Sequence, residues 1–223
     1  MGDNLMASNK EHITKKYVTG KGELTGFIAL TKPSVKFNKK GTYSLGILLS
    51  KKEGEELTEL MKEVRTEQFK TYGKKTKVQD LPCKPYEIVN EEDGTATPDP
   101  EGRYLLKASA SAYIEDGKIG KRIQIINAKK QPVKNISIGE GTIARVGIVL
   151  SGYSVAGKTG VSAKLGLVQI IELVEYVGNG FSADEFDEEE GFDGVGEEFT
   201  DDKIDTSASE DADDEEDDET ADF

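Results

Sequence analysis

Residues 152–159, Gly-Tyr-Ser-Val-Ala-Gly-Lys-Thr, spell G-x-x-x-x-G-K-[ST], the pattern of a phosphate-cradling P-loop. That chemistry needs a helix to open at the loop, because the helix N-terminus holds the phosphates. The next residues, Gly160-Val161-Ser162-Ala163-Lys164-Leu165-Gly166-Leu167-Val168, instead alternate like a strand. Too few residues remain before the composition turns acidic for further strand–helix units or an acidic magnesium ligand. The motif reads as a glycine-rich hairpin whose Lys158 can still meet a phosphate.

Other reactive types are scarce. His12 is the single histidine and Cys83 the single cysteine. A Ser-His-Asp or Cys-His set, a disulfide, a cysteine-based zinc cluster and a His-rich metal site are therefore unsupported. Glu115-Asp116 sits in a turn and Glu91-Glu92-Asp93 in a loop, where solvated carboxylates are expected rather than an acid–base pair. No cofactor is implied, and the chain reads as a passive binder, not an enzyme.

The stronger signal is one face of a strand. Over residues 103–114 the even positions, Tyr104, Leu106, Ala108, Ala110, Ala112 and Ile114, are nearly all apolar, while the odd ones include Arg103, Lys107, Ser109, Ser111 and Tyr113. Strand side chains alternate, so one face enters a core and the other presents cations, hydroxyls and a ring. Cations neutralise phosphates and flat rings stack on unpaired bases, the means by which single strands are held without sequence readout. Lys121 and Arg122 open the next strand, and Lys32, Lys36, Lys39 and Lys40 surround Phe37 in an earlier loop.

Positioning these groups falls to a succession of β-like runs at residues 24–30, 42–49, 103–114, 121–127, 142–151 and 161–177. One helix is expected over 53–72, where Leu57, Leu60, Met61, Val64, Phe69 and Tyr72 share a face. A proline-rich loop over 81–101 has room for a short strand at 86–89. Strands in succession with one helix, and no strand–helix alternation, predict an all-β antiparallel barrel or sandwich. Residues 1–20 read as a flexible polar arm, 21–180 as the folded domain, and 181–223 as a disordered acidic tail.

Charge divides along the same line. The 223 residues carry 29 Lys and Arg against 43 Asp and Glu. Residues 181–223 hold 22 of those acids and one base, so the tail is −21 and everything before it +7. Phe181, Phe186, Phe192, Phe199 and Phe223 recur in the acid, a pattern suited to docking on basic surfaces with apolar pockets. No run approaches the roughly 20 apolar residues of a membrane span, and residues 1–10 show no apolar leader, so a reducing cytoplasmic setting is expected.

In order along the chain stand Lys84-Pro85-Tyr86-Glu87 with Asp93-Gly94-Thr95, the 103–113 strand, and Lys121-Arg122-Ile123-Gln124-Ile125-Ile126-Asn127. Next comes the run from Val149 through Tyr153, Gly157 and Val161-Ser162-Ala163-Lys164-Leu165 to Glu172-Leu173, and the chain ends on Asp222-Phe223. This series resembles the acidic-tailed single-stranded DNA-binding proteins of tailed bacteriophages. The resemblance implies an OB-fold-like barrel with one inserted helix, holding single-stranded DNA in phage replication and recombination, often as a dimer. Tyr153 would then join the DNA groove, and Asp222 and Phe223 would serve partner contacts as the tail recruits DNA polymerase and helicase. The chain has no tryptophan to match a stacking indole. A rival reading, an acidic-tailed chaperone or DNA mimic for basic proteins, explains the tail but leaves the basic strand face without a role.

Overall fold

The computed structural model describes residues 13–72, 77–90, 93–155 and 157–176. The chain runs β1 (Thr14–Val18), β2 (Gly22–Ser34), β3 (Thr42–Leu49), α1 (Lys51–Tyr72), β4 (Lys77–Val78), β5 (Cys83–Pro85), β6 (Glu87–Val89) and β7 (Ala96–Pro98). It continues through β8 (Tyr104–Ser111), β9 (Ile114–Glu115), β10 (Lys118–Ile119), β11 (Gln124–Ile126), β12 (Ile143–Val155) and β13 (Lys158–Glu172).

Five of these strands close a ring: β2 pairs β3, β3 pairs β8, β8 pairs β13, β13 pairs β12, and β12 returns to β2. Counted along the chain, the order around the ring is first, second, third, fifth, fourth, which is the OB-fold barrel. The expected antiparallel barrel is thus closed by one parallel step, with Lys164 of β13 opposite Ser109 of β8. Alternation predicts which face of a strand is buried and is silent on the direction of its neighbour.

Alternation does fill the interior. Tyr43, Leu45, Ile47 and Leu49 of β3, Leu106 and Ala108 of β8, Val146, Ile148 and Leu150 of β12, and Val161, Ala163 and Leu165 of β13 are buried together. The helix begins at Ser50, whose hydroxyl accepts the Glu53 N–H at 3.4 Å as an N-cap. Its Leu57, Met61 and Val64, spaced for one helical face, are fully buried against the barrel. A methyl group at Gly54 would overlap the Tyr104 ring, so the absent side chain sets how closely α1 approaches β8. Cys83 is buried nearby, and burial pushes its thiol up to about 11, so it stays protonated in the core at neutral pH.

Several expectations are corrected. The arm read over residues 1–20 contributes β1, paired with β12 from Thr14 opposite Ser151 to Val18 opposite Gly147. Its inward positions are Lys15, bonded to Glu63 at 3.1 Å, and Tyr17, whose hydroxyl donates to Glu53 at 3.3 Å. Amphipathic side chains on that face hide the strand from an apolar pattern. The loop over 81–101 carries β5 against β8 and a β6–β7 hairpin. The strand read over 103–114 stops at Ser111, because Tyr113 adopts a left-handed φ of 52° before the small β9–β10 hairpin. The 152–159 motif, by contrast, is as expected: Gly152 to Val155 end β12, Lys158 and Thr159 begin β13 opposite them, and β13 continues as a strand. His12, Glu91, Glu92 and the 181–223 tail lie outside the described residues. The described helix is not long and apolar enough to cross a membrane.

Candidate nucleic-acid interface

From Thr42 to Gly46 the outer face of β3 is built from small residues, before the Leu48–Leu105 pair closes it. Thr42 stands opposite Ser111, Ser44 opposite Ser109, and Gly46 opposite Lys107. Ser109 is opposite Lys164 in turn, so a row Ser44, Ser109, Lys164 crosses three strands. Directly paired residues share a face, and both lysines are exposed. The result is a shallow hydroxyl floor with ammonium groups along it, shaped for planar groups and phosphates.

One end of this floor gathers most of the residues expected from the sequence. The loop after β2 folds back through a turn in which Lys40 N–H donates to Asn38 Oδ1 at 3.0 Å and Gly41 N–H to the Asn38 carbonyl at 2.7 Å. Gly41 is left-handed at φ 68°, and a Cβ there would collide with Ile114. Two backbone bonds tie the loop to the next segment: Ala112 N–H to the Gly41 carbonyl at 3.0 Å and Ile114 N–H to the Lys40 carbonyl at 2.9 Å. Lys36, Phe37, Lys39 and Lys40 are thereby brought beside Tyr113, and all are exposed. Phe37 is 91% exposed, with Lys36 Nζ 5.5 Å from its ring centre. Lys121 comes next, its N–H bonded to the Ala112 carbonyl at 2.9 Å, with Arg122 and Lys118 exposed alongside.

The β12–β13 hairpin carries two more of the expected residues. Tyr153 is half-buried opposite Gly160, and Lys158 stands beside Lys77 of the parallel β4. Lys32 is exposed on β2.

One expected residue is placed elsewhere. Arg103 donates to Asp99 through Nε at 3.1 Å and Nη2 at 2.9 Å, approaches Glu101 and Glu23 at 3.4 and 3.5 Å, and lies 5.9 Å from the Tyr86 ring centre. These bonds to Arg103 hold the Asp99 carboxyl below the usual range, and the guanidinium is committed to a structural clamp. Tyr43 is 1% exposed inside the core, where burial pushes its hydroxyl up and Arg122 partly opposes the shift. Asp222 and Phe223 lie outside the described residues.

Sequence reading missed Lys164, Lys77 and Lys118. The alternation of buried Val161, Ala163 and Leu165 would have pointed Lys164 outward; the other two depend on where short strands pair. No group of three metal-ligating side chains occurs among the described residues. Asp93 is occupied by the Thr95 hydroxyl and N–H at 2.7 and 2.9 Å, and Asp116 turns the β9–β10 hairpin at φ 49°. The carboxylates thus serve turns.

An OB barrel presenting its second and third strands between two loops is the oligonucleotide-binding arrangement of that fold, and the cations and rings here occupy those places. The chain belongs to the family of the ssDNA-binding protein of Enterobacter phage Enc34, which it matches over residues 15–198. The fold is shared with gp2.5, a single-stranded DNA binding protein encoded by bacteriophage T7, at 18% identity and a TM-score of 0.52, covering 82% of this chain and 100% of that one. It is shared equally with the Enc34 protein in complex with ssDNA, at 18% identity and a TM-score of 0.52, covering 73% of this chain and 89% of that one. No curated protein sequence matches the chain.

Proposed function

We propose that the barrel coats single-stranded DNA as a passive binder in phage replication and recombination, acting in the host cytoplasm and catalysing no reaction. The observation that carries this is the row Ser44, Ser109, Lys164, flanked by the joined loops that bear Phe37 and Tyr113. Lysines along the floor and loops neutralise the sugar–phosphate backbone, while Phe37, Tyr113 and Tyr153 offer faces to bases, each contact worth about 1–3 kcal/mol. Small hydroxyl side chains leave the space the bases occupy.

The 181–223 segment is tethered to a basic body and so meets the groove at high effective concentration. In this reading it occupies the groove without DNA, and DNA displaces it, freeing Asp222 and Phe223 to recruit polymerase and helicase.

The test is fluorescence anisotropy of labelled oligo-dT and of matched duplex, with the full chain and with a chain ending at Gly180, across salt. Single strands should bind preferentially, tighter on truncation and most so at low salt, with a log–log salt slope of about −0.7 per phosphate neutralised. Unchanged affinity on truncation would remove the competition by the tail. Absence of binding by both chains would discard the DNA reading in favour of an acidic chaperone for basic proteins.

A further inference from the structure

Between two register points β2 carries more residues than its neighbour. Thr25 is opposite Gly46 and Ala29 opposite Ser44, so Gly26, Phe27 and Ile28 face Leu45 alone. Gly26 makes this possible with a left-handed φ of 70°. Bulges of this kind re-aim a side chain, and the ring of Phe27 emerges 70% exposed on the barrel's outer surface.

The bulge is clamped. The Thr25 hydroxyl and the Gly26 N–H, the latter at 3.0 Å, both donate to the Glu140 carboxylate. Those two bonds hold its carboxyl below the usual range, so it is ionised at neutral pH. The segment bearing Glu140 is itself pinned, with Gly141 N–H on the Leu24 carbonyl at 2.9 Å and Gly139 N–H on the Val174 carbonyl at 2.8 Å.

Strand order then places Phe27 at the border of the hydroxyl floor. From β2 the outer face continues through Ser44 and Ser109 to Lys164, three inter-strand steps or about 14 Å. A ring stands on one side of the floor and an ammonium on the other. The Glu140 carboxylate repels phosphate from the ring side, so a bound strand would turn its backbone toward Lys107 and Lys164 and its bases toward Phe27.

We propose that Phe27 is a base-stacking platform of the single-stranded DNA interface, with Glu140 the residue that positions it through the Gly26 bulge. The assignment rests on the single-stranded DNA reading above.

The chain has no tryptophan, so Phe27→Trp in the full chain creates a sole indole reporter. Titration with oligo-dT should quench the indole and saturate at the ratio seen by anisotropy of the labelled oligonucleotide. Phe27→Ala should weaken binding about 5- to 150-fold, with an unchanged salt slope because stacking releases no counterions. Glu140→Ala should weaken binding in the same way, and Glu140→Gln, which keeps the acceptor oxygen but not the charge, should restore most of it. An unquenched indole together with wild-type affinity in Phe27→Ala would overturn the assignment while wild-type binding to oligo-dT left the broader reading standing. Failure of the wild type to bind oligo-dT would overturn both.

Discussion

Tyr153 lies across Gly160, its partner on the β12–β13 hairpin, so closely that a Cβ at residue 160 would fall 2.7 Å from the phenolic oxygen and 2.9 Å from Cζ. The glycine provides the flat seat on which the ring rests. Gly160→Ala should lift the ring and cost single-strand affinity as Tyr153→Ala does, within the roughly 1–3 kcal/mol of a base–ring contact. The double variant should bind no worse than either single one, because both remove the same contact. Anisotropy with oligo-dT measures all three.

The meeting of Gly54 with Tyr104 inverts an ordinary helix rule. Gly to Ala inside a helix normally stabilises by up to about 1 kcal/mol. Here the added methyl must displace an aromatic ring or move α1, and overpacking of that kind costs about 1–3 kcal/mol. Gly54→Ala should lower the urea midpoint and reduce Tm by about 2–4 °C for each kcal/mol lost.

Arg103 and Lys164 carry the same charge and should fail differently. Arg103→Ala strips Asp99 of its bidentate partner and should lower Tm while leaving the salt slope of DNA binding intact. Lys164→Ala removes an exposed cation and should reduce the magnitude of that slope by about 0.7 with little change in Tm.

Acid should loosen the protein through the same clamp. The Asp99 carboxyl is held below its ordinary pKa of about 4 by hydrogen bonds from Arg103, and the Glu140 carboxyl is lowered by Thr25 and Gly26. Carboxylates lowered on folding contribute stability above their unfolded pKa and lose it as the pH falls through the folded value. Unfolding midpoints should therefore be level at neutral pH and decline below about pH 4. Replacing Arg103 by Ala should flatten that decline.

The period of two in residues 104–111, the helical spacing of Leu57, Met61 and Val64, and the strand that succeeds the 152–159 motif are all legible in the order of residues along the chain. So is the division into a basic body and an acidic tail, because charge and local alternation are properties of neighbouring residues. Which strands meet is not. Arg103 and Lys107 occupy the same parity in the sequence, yet one is bound by three acids and the other stands open beside Gly46. Tyr43 and Phe37 are both aromatic within the same basic stretch, yet one is core and the other almost bare. The Gly26 bulge that exposes Phe27 depends on Glu140, more than a hundred residues away, and the parallel closure of β8 on β13 depends on a pairing with no local signature. Sequence alone determined the helix, the long strands that line the barrel with their buried faces, and the class of ligand their charge admits. Tertiary structure decided which cations are free and where each ring points, because those outcomes are set by partners that only long-range pairing brings into reach.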